Sequence, residues 1–248
     1  MTPVSQAVIL MAGSGSRLRG FGGELPKPLI PILDRPLISY TIDALVAAGV
    51  SKIIFIVGYE RERLIAAVKE LTPPQFDVCF IENPEWRKQN GISLLAAAEH
   101  VIGPFLLTMS DHLFDQAIID LVIKSADVDL LNLAVDRKID SIFDLDDAMK
   151  VRTERNKVVA IGKNLSDYDA IDTGVFVCPL EIFDYLESAK KNDDCSLADG
   201  VRLMAANGKV RAVDIGPTWW QDVDTPEMLR QAEMRMRCVT EAKAKMLP

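Results

Sequence analysis

Gly13, Gly15, Arg17 and Lys27 stand at a spacing suited to holding a polyphosphate. The two glycines, in Met11-Ala12-Gly13-Ser14-Gly15-Ser16-Arg17-Leu18, follow a short apolar run and allow a tight turn whose N–H groups can face an anion. Two familiar phosphate loops are excluded. Leu18 stands where a dinucleotide loop needs a small residue, and Ser16-Arg17 replaces the Gly-Lys-Ser/Thr ending of a Walker A loop. In Leu25-Pro26-Lys27-Pro28-Leu29 the prolines fix their own φ and restrict the residue before them, so the segment is expected to be stiff and extended and to aim Lys27. Three aspartates complete the set. Asp111 follows the apolar run 105–109, and ligands of open α/β sheets bind beyond the carboxyl ends of such strands. A carboxylate there, facing phosphates, is a natural Mg²⁺ ligand. Asp222 and Asp224, in Trp219-Trp220-Gln221-Asp222-Val223-Asp224-Thr225-Pro226-Glu227, precede the last helix. Val223 is expected to separate the two side chains, so that they need not share one ion.

The elements that must position these residues alternate. Continuous apolar runs at 7–11, 52–57, 76–81 and 105–109 read as strands buried on both faces, and the intervening 37–50, 61–71, 91–101 and 116–125 as helices. That alternation predicts an α/β fold with a mainly parallel sheet and helices on both faces. Beyond Asp127 the pattern becomes that of a mixed sheet, with strands at 130–135, 157–161 and 173–178 around a charged, irregular stretch at 136–156. The tail 226–246 reads as a helix capped by Thr225, with Pro226 in its first position. No linker rich in Pro, Gly or Ser divides the chain. A single domain over 1–248 is expected, its second half adding strands and a C-terminal helix to the first.

Composition narrows the partners. Of the 248 residues 49% are hydrophobic and 26% charged, an ordinary globular balance that needs no disulfide or structural metal. The 36 acidic residues exceed the 28 basic ones, giving a formal charge of -8, which argues against nucleic acid or an anionic membrane as partner. Four scattered cysteines, no basic leader before the first apolar run and no membrane span together suggest a reducing cytoplasm. With only His100 and His112 and no C-x-x-C pair, a zinc site is not expected. His112 either reaches the acceptor or orients its loop; Trp219 and Trp220 are expected to pack in the core.

G-x-G-x-R-L followed by P-K-P resembles the signature of the sugar-nucleotide pyrophosphorylase superfamily, whose members transfer a nucleotidyl group from an NTP to a phosphorylated acceptor. The resemblance implies a Rossmann-like, three-layer α/β/α nucleotidyltransferase fold. It also implies that Met11, Ala12, Gly13, Ser14, Gly15 and Arg17 hold the nucleotide, that Lys27 stabilises charge at the α-phosphate, that Asp111 holds Mg²⁺ with Asp224 as first choice and Asp222 as second for the other ligand, and that 1–126 is a nucleotide-binding half and 127–248 an acceptor-binding half plus C-terminal helix. Asn90-Gly91-Ile92-Ser93-Leu94, Met109-Ser110-Asp111-His112, Ile161-Gly162-Lys163-Asn164-Leu165 and Tyr168-Asp169-Ala170-Ile171-Asp172-Thr173-Gly174 look closest to the CTP:inositol-1-phosphate cytidylyltransferases and their phosphonate and phosphocholine relatives. On that resemblance Asn83, Gly91 and Ser93 join the cytidine site, and His112, Lys163, Asp172 and Gly174 the acceptor site. Lys163, after Gly162 at a strand end, can meet a phosphate or stand solvated. In the best-known members this unit is fused to a membrane-embedded synthase, so use of CDP-inositol is expected to fall to a separate protein. Phosphocholine, aminoethylphosphonate, a UTP- or dTTP-dependent sugar 1-phosphate reaction and a nucleotide sensor are the alternatives. Monomer and homodimer are both open, although Met228, Leu229, Ala232, Met236 and Val239 are expected to pack the last helix on its own domain.

Overall fold

The computed structural model describes residues 4–18, 25–74 and 76–246, with side chains of the last helix described as far as Cys238. Strands β1 (Gln6–Leu10), β2 (Pro31–Ile32) and β3 (Arg35–Pro36) precede helix α1 (Leu37–Ala47), and β4 (Lys52–Val57), α2 (Arg61–Leu71) and β5 (Asp77–Glu82) follow. Next come α3 (Asn90–Leu95), β6 (Phe105–Met109), β7 (His112–Phe114) and α4 (Gln116–Ser125). The second half contains β8 (Leu131–Asp136), β9 (Lys150–Glu154), β10 (Lys157–Gly162), β11 (Ala170–Cys178), α5 (Ile182–Ala189), α6 (Leu197–Ala206), β12 (Val210–Asp214), β13 (Trp220–Asp222) and α7 (Pro226–Met246).

One nine-stranded sheet, in the order β5-β4-β1-β6-β11-β8-β12-β10-β9, runs through both halves. Its first four strands are parallel and β11 lies antiparallel to both β6 and β8. The alternation of side chains along β1 and β4 builds two cores. Ala7, Ile9, Ile53 and Phe55 face α1, α2 and α4, while Val8, Leu10, Ile54 and Ile56 face α3, α5 and α6. The result is the expected three-layer α/β/α arrangement. A third cluster joins Leu229 and Ala232 of α7 to Leu18, Ile30, Leu37 and Val223, so α7 packs on its own chain. The side chain of Val239 lies outside the described residues.

The chain departs from the sequence expectations at identifiable points. The predicted helix over 91–101 stops at Leu95, because the hydrogen bonds shorten from Ala96 N to Ile92 O to Ala97 N to Leu94 O, and a separate 3-10 turn covers Ala98–His100. The irregular stretch at 136–156 contains β9, which pairs with both β10 and β11 and whose alternating charged residues break its apolar run. β7, β12, β13, α5 and α6 had no expected counterpart. α1 ends two residues before Gly49, which takes φ +82°. Thr225 caps α7 as expected, its Oγ1 accepting the Met228 N–H at 3.2 Å.

Candidate active site

β1 has β4 on one side and β6 on the other, so the strand order reverses between β1 and β6, and a crevice opens beyond their carboxyl ends. The glycine loop leaves β1 there, and Ser110-Asp111 leaves β6, the two tied by Ser110 N–H to Leu10 O at 3.1 Å. A cleft of about 1010 Å³ occupies this position. Met11, Ala12, Gly13, Gly15, Arg17 and Lys27 line it from the first half. Lys163, Asp172 and Gly174 line it from the second, and Asp222 and Asp224 from the segment before α7.

At the centre is Lys27, only 8% exposed, with its Nζ 2.5 Å from Asp111 Oδ2 and 2.5 Å from Asp224 Oδ1. The segment that holds it is not extended. Pro26 is extended, but Lys27–Leu29 close a 3-10 turn with Leu29 N–H donating to Pro26 O at 2.8 Å. The lysine stem lies over Gly15, where a Cβ would come within 2.4 Å of Lys27 Cβ and where φ is +57°. Gly15 is therefore needed both for its backbone angle and for this close approach. Burial alone would lower the ammonium's pKa, but the charges of Asp111 and Asp224 outweigh it and leave the pKa above its ordinary value. Lys27 and His112 likewise hold the Asp111 carboxyl far below the carboxylate range, against the opposing effect of burial.

Arg17 closes the other side of Asp224, NH2 to Oδ2 at 2.6 Å. The aspartates are thus already paired with cations. Buried or half-buried carboxylates recruit the nearest ammonium and guanidinium groups, which offset the cost of their burial. Contrary to the expectation, Val223 does not separate Asp222 from Asp224. Residues two apart in an extended segment share a face, and the fully buried Val223 turns to the core while Asp222 and Asp224 both face the cleft. Burial raises the pKa of Asp222, and the neighbouring charges of Asp224 and Asp111 add to that against the attraction of His112.

His112 orients this cluster. Its Nδ1 lies 2.7 Å from Asp111 Oδ1, and its ring stacks on Trp220 at 6.0 Å and 15°. Burial would lower the imidazolium pKa, but the hydrogen bond and charge of Asp111 outweigh it and raise the pKa. Trp220 is more than core packing: its Nε1–H donates to Asp136 Oδ2 at 3.0 Å, which fixes the ring against which His112 lies. On the opposite side His112 meets Gly174, where φ is +73° and a Cβ would fall within 2.5 Å of the imidazole. Gly174 sits in an irregularity of β11, between the registers at Asp172 and Phe176. Asp172 accepts the Gly174 N–H at 2.7 Å; burial pushes its carboxyl up to about 6, despite that bond and the charge of His112.

The residues expected at the nucleotide do not all reach the cleft. Ser93 lines the cleft, but Asn83, Gly91 and Ser14 do not. Asn83 is buried behind Ser93 and donates to its Oγ at 3.0 Å, so it can act only through Ser93. Gly91 is buried against α6, where a Cβ would meet Cys195 O at 2.5 Å.

With this geometry in place, comparison with known proteins is direct. Residues 7–138 match the MobA-like NTP transferase domain. The chain belongs to the MobA-like NTP transferase family. A bifunctional IPC transferase and DIPP synthase of Thermococcus kodakarensis is 37% identical over 230 residues, covering 92% of this chain and 49% of that protein. Its counterpart in Aquifex aeolicus is 32% identical over 233 residues, covering 93% of this chain and 51% of that one. The chain therefore spans about half the length of the curated relatives it matches. The solved inositol-1-phosphate CTP transferase from T. maritima superposes with a TM-score of 0.83 at 27% identity, covering 91% of each chain.

This MobA-like NTP transferase also has site residues that the sequence did not single out. Asp147, in the irregular stretch, takes Arg17 NH1 on Oδ2 at 2.8 Å and the Lys163 ammonium on Oδ1. Lys150, 9% exposed, donates to Lys163 O at 2.9 Å and Asp146 O at 3.3 Å, pinning that stretch to the end of β10. Trp86 lines the cleft near Ser93. Neither Asp147 nor Lys150 follows a period or motif; only the folded chain brings them in. Asp111, Asp224 and Asp222 offer hard oxygen donors of the kind Mg²⁺ takes. Among the described residues no group of three or more His, Cys, Asp or Glu could hold a metal unaided. An ion held by Asp111 and Asp224 would have to draw its remaining ligands from phosphate and water.

Proposed function

We propose that this chain is a cytidylyltransferase that transfers CMP from CTP to a phosphorylated polyol, inositol 1-phosphate, giving CDP-inositol and pyrophosphate. The observation that carries the reading is the convergence of Arg17 and Lys27 on Asp111 and Asp224 at the sheet's switch point, beside the glycine loop. The choice of CTP and inositol phosphate rests on the similarity to the transferase of that name over 91% of both chains. One domain over 1–248 serves both substrates, nucleotide on the first half and acceptor on the second. No helix among the described residues is long and apolar enough to cross a membrane, and the reading implies a cytoplasmic enzyme.

In this mechanism an acceptor phosphate oxygen attacks the α-phosphorus of CTP in line. The bond to the β-phosphate oxygen breaks, and pyrophosphate leaves with the electron pair. The acceptor's second pKa near ~6 leaves it largely dianionic at neutral pH, so no general base is needed. Positioning and charge then account for the rate. Lys27 would meet the α-phosphate, Arg17 the triphosphate, and Lys163 and the Asp172–Gly174 turn, on the other half of the cleft, the acceptor. Asp111 and Asp224, with Asp222 beside them, would hold Mg²⁺, which supplies Lewis-acid charge neutralisation to the phosphates. His112 keeps Asp111 oriented.

The test is a matrix of CTP, UTP and dTTP against inositol 1-phosphate, phosphocholine, aminoethylphosphonate and glucose 1-phosphate, read as pyrophosphate release. CTP with inositol 1-phosphate is expected to dominate. Preference for UTP with glucose 1-phosphate would overturn the substrate assignment, and nucleotide binding without release in every cell would make the protein a sensor.

A further inference from the structure

Arg17 and Lys163 come from opposite halves of the chain, yet one carboxylate joins them. Asp147 presents Oδ2 to Arg17 NH1 at 2.8 Å and Oδ1 to the Lys163 ammonium. A carboxylate gripping a guanidinium with one oxygen and an ammonium with the other makes the contacts that a bound phosphate would make to the same cations. The contact is held in place rather than left to chance. Lys150, buried, ties Asp146 O to Lys163 O, the Asp147 N–H reaches Asp144 Oδ1 at 3.4 Å, and Ala148 N–H donates to Asp144 O at 3.1 Å. All three charged side chains face the cleft, with side-chain exposures of 54% for Arg17, 37% for Asp147 and 49% for Lys163. They are open enough to exchange partners, and ion pairs of such exposure are weak enough to be displaced.

We propose that Asp147 is an internal competitor for the substrate phosphates, occupying the phosphate contacts of Arg17 and Lys163 until nucleotide and acceptor displace it. The identity of the two phosphates rests on the function proposed above, but the competition does not depend on which acceptor is used.

The test is isothermal titration of the wild type, Asp147→Asn and Asp147→Ala with pyrophosphate, with inorganic phosphate and with CTP in the presence of Mg²⁺. Both variants are expected to bind each anion about threefold to fivefold more tightly, since one exposed ion pair per cation is removed. Asp167→Asn is the control. Asp167 pairs with Arg152 away from the cleft and loses the same single charge. Equal or weaker affinity in the Asp147 variants, an equal gain in Asp167→Asn, or no detectable phosphate or pyrophosphate binding to any of the proteins would overturn the proposal. Failure of CTP to bind the wild type would instead refute the nucleotide assignment, and the two inorganic anions would still decide the role of Asp147.

Discussion

Replacing Lys27 with methionine keeps the stem that lies over Gly15 and removes the charge. Both Asp111 Oδ2 and Asp224 Oδ1 lie 2.5 Å from the ammonium. The two oxygens are therefore within about 5 Å of each other, and at an effective dielectric near ~20 two bare charges at that separation repel by roughly 3 kcal/mol. Arg17 still holds Asp224 at 2.6 Å and His112 still holds Asp111 at 2.7 Å. The expected loss of folding stability is accordingly about 2–3 kcal/mol, below the range of about 3–5 kcal/mol for breaking a fully buried pair. Urea denaturation measures it. Mg²⁺ should restore more stability to the variant than to the wild type, because the two carboxylates are then free of a competing ammonium.

The kinetic loss is separate and larger. Removing one charge contact to the reacting phosphates costs about 10² to 10³ in kcat. It must be measured at a temperature where circular dichroism shows Lys27→Met folded. A kcat within about threefold of wild type in the folded variant would refute the placement of Lys27 at the α-phosphate. An unchanged denaturation midpoint would refute the ion-pair arrangement itself.

Asp172→Asn tests the buried carboxyl of the acceptor half. The folded pKa is raised to about 6 from an unfolded value near ~4, so native Asp172 favours the proton; its stability contribution is full below about pH 4 and is lost as pH rises through 6. Asparagine keeps the acceptor for Gly174 N–H without the charge. The variant should melt roughly 4–8 °C higher than wild type at pH 7.5, about 2 kcal/mol, with the gap closing by pH 4; a gap independent of pH would contradict the shift. Gly174→Ala brings a Cβ within 2.5 Å of the His112 ring at φ +73°. It should cost at least about 1 kcal/mol of stability and about tenfold in kcat by moving His112 off Asp111, and an unchanged kcat would deny His112 its orienting role.

What the sequence disclosed follows from how locally each feature is encoded. β1 and β4 are buried on both faces, so their apolar runs are unbroken and legible at 7–11 and 52–57. The glycine loop and Lys27 are legible because rare residue types recur there at close spacing. β9 was hidden because Lys150, Arg152 and Glu154 alternate with Val151 and Thr153 and leave no continuous apolar run, and β7 and β13 because each is only three residues long and stabilised by pairing with the other. α5 and α6 do have apolar faces, with Ile182, Phe183 and Leu186 buried in one and Val201 and Met204 in the other. The capping box of Ser196 and Asp199 was a local signal for α6 that went unread. Asp147 carried no such signal: one aspartate in an acidic stretch becomes a site residue only when β10 brings Lys163 opposite the glycine loop.

The ion web also alters what the charge of -8 means for binding. An acidic chain would be expected to repel a triphosphate, with a metal needed to reverse the sign. In the folded protein the cations nearest the glycine loop and β10 are already neutralised locally, Lys27 by Asp111 and Asp224, Arg17 by Asp224 and Asp147, and Lys163 by Asp147. Binding a phosphate here is therefore an exchange of one anion for another, and its free energy is a difference between two sets of ion pairs. A cation released from an aspartate leaves that carboxylate bare. Where the carboxylate is Asp111 or Asp224 it is at once a ligand for a divalent ion, so phosphate and metal should bind cooperatively. Where it is the half-exposed Asp147 it is left to water at small cost. In the proposed reaction the same residue type would thus serve opposite ends according to depth in the cleft: the deeper aspartates would link substrate to metal, and the shallow one would only compete with substrate.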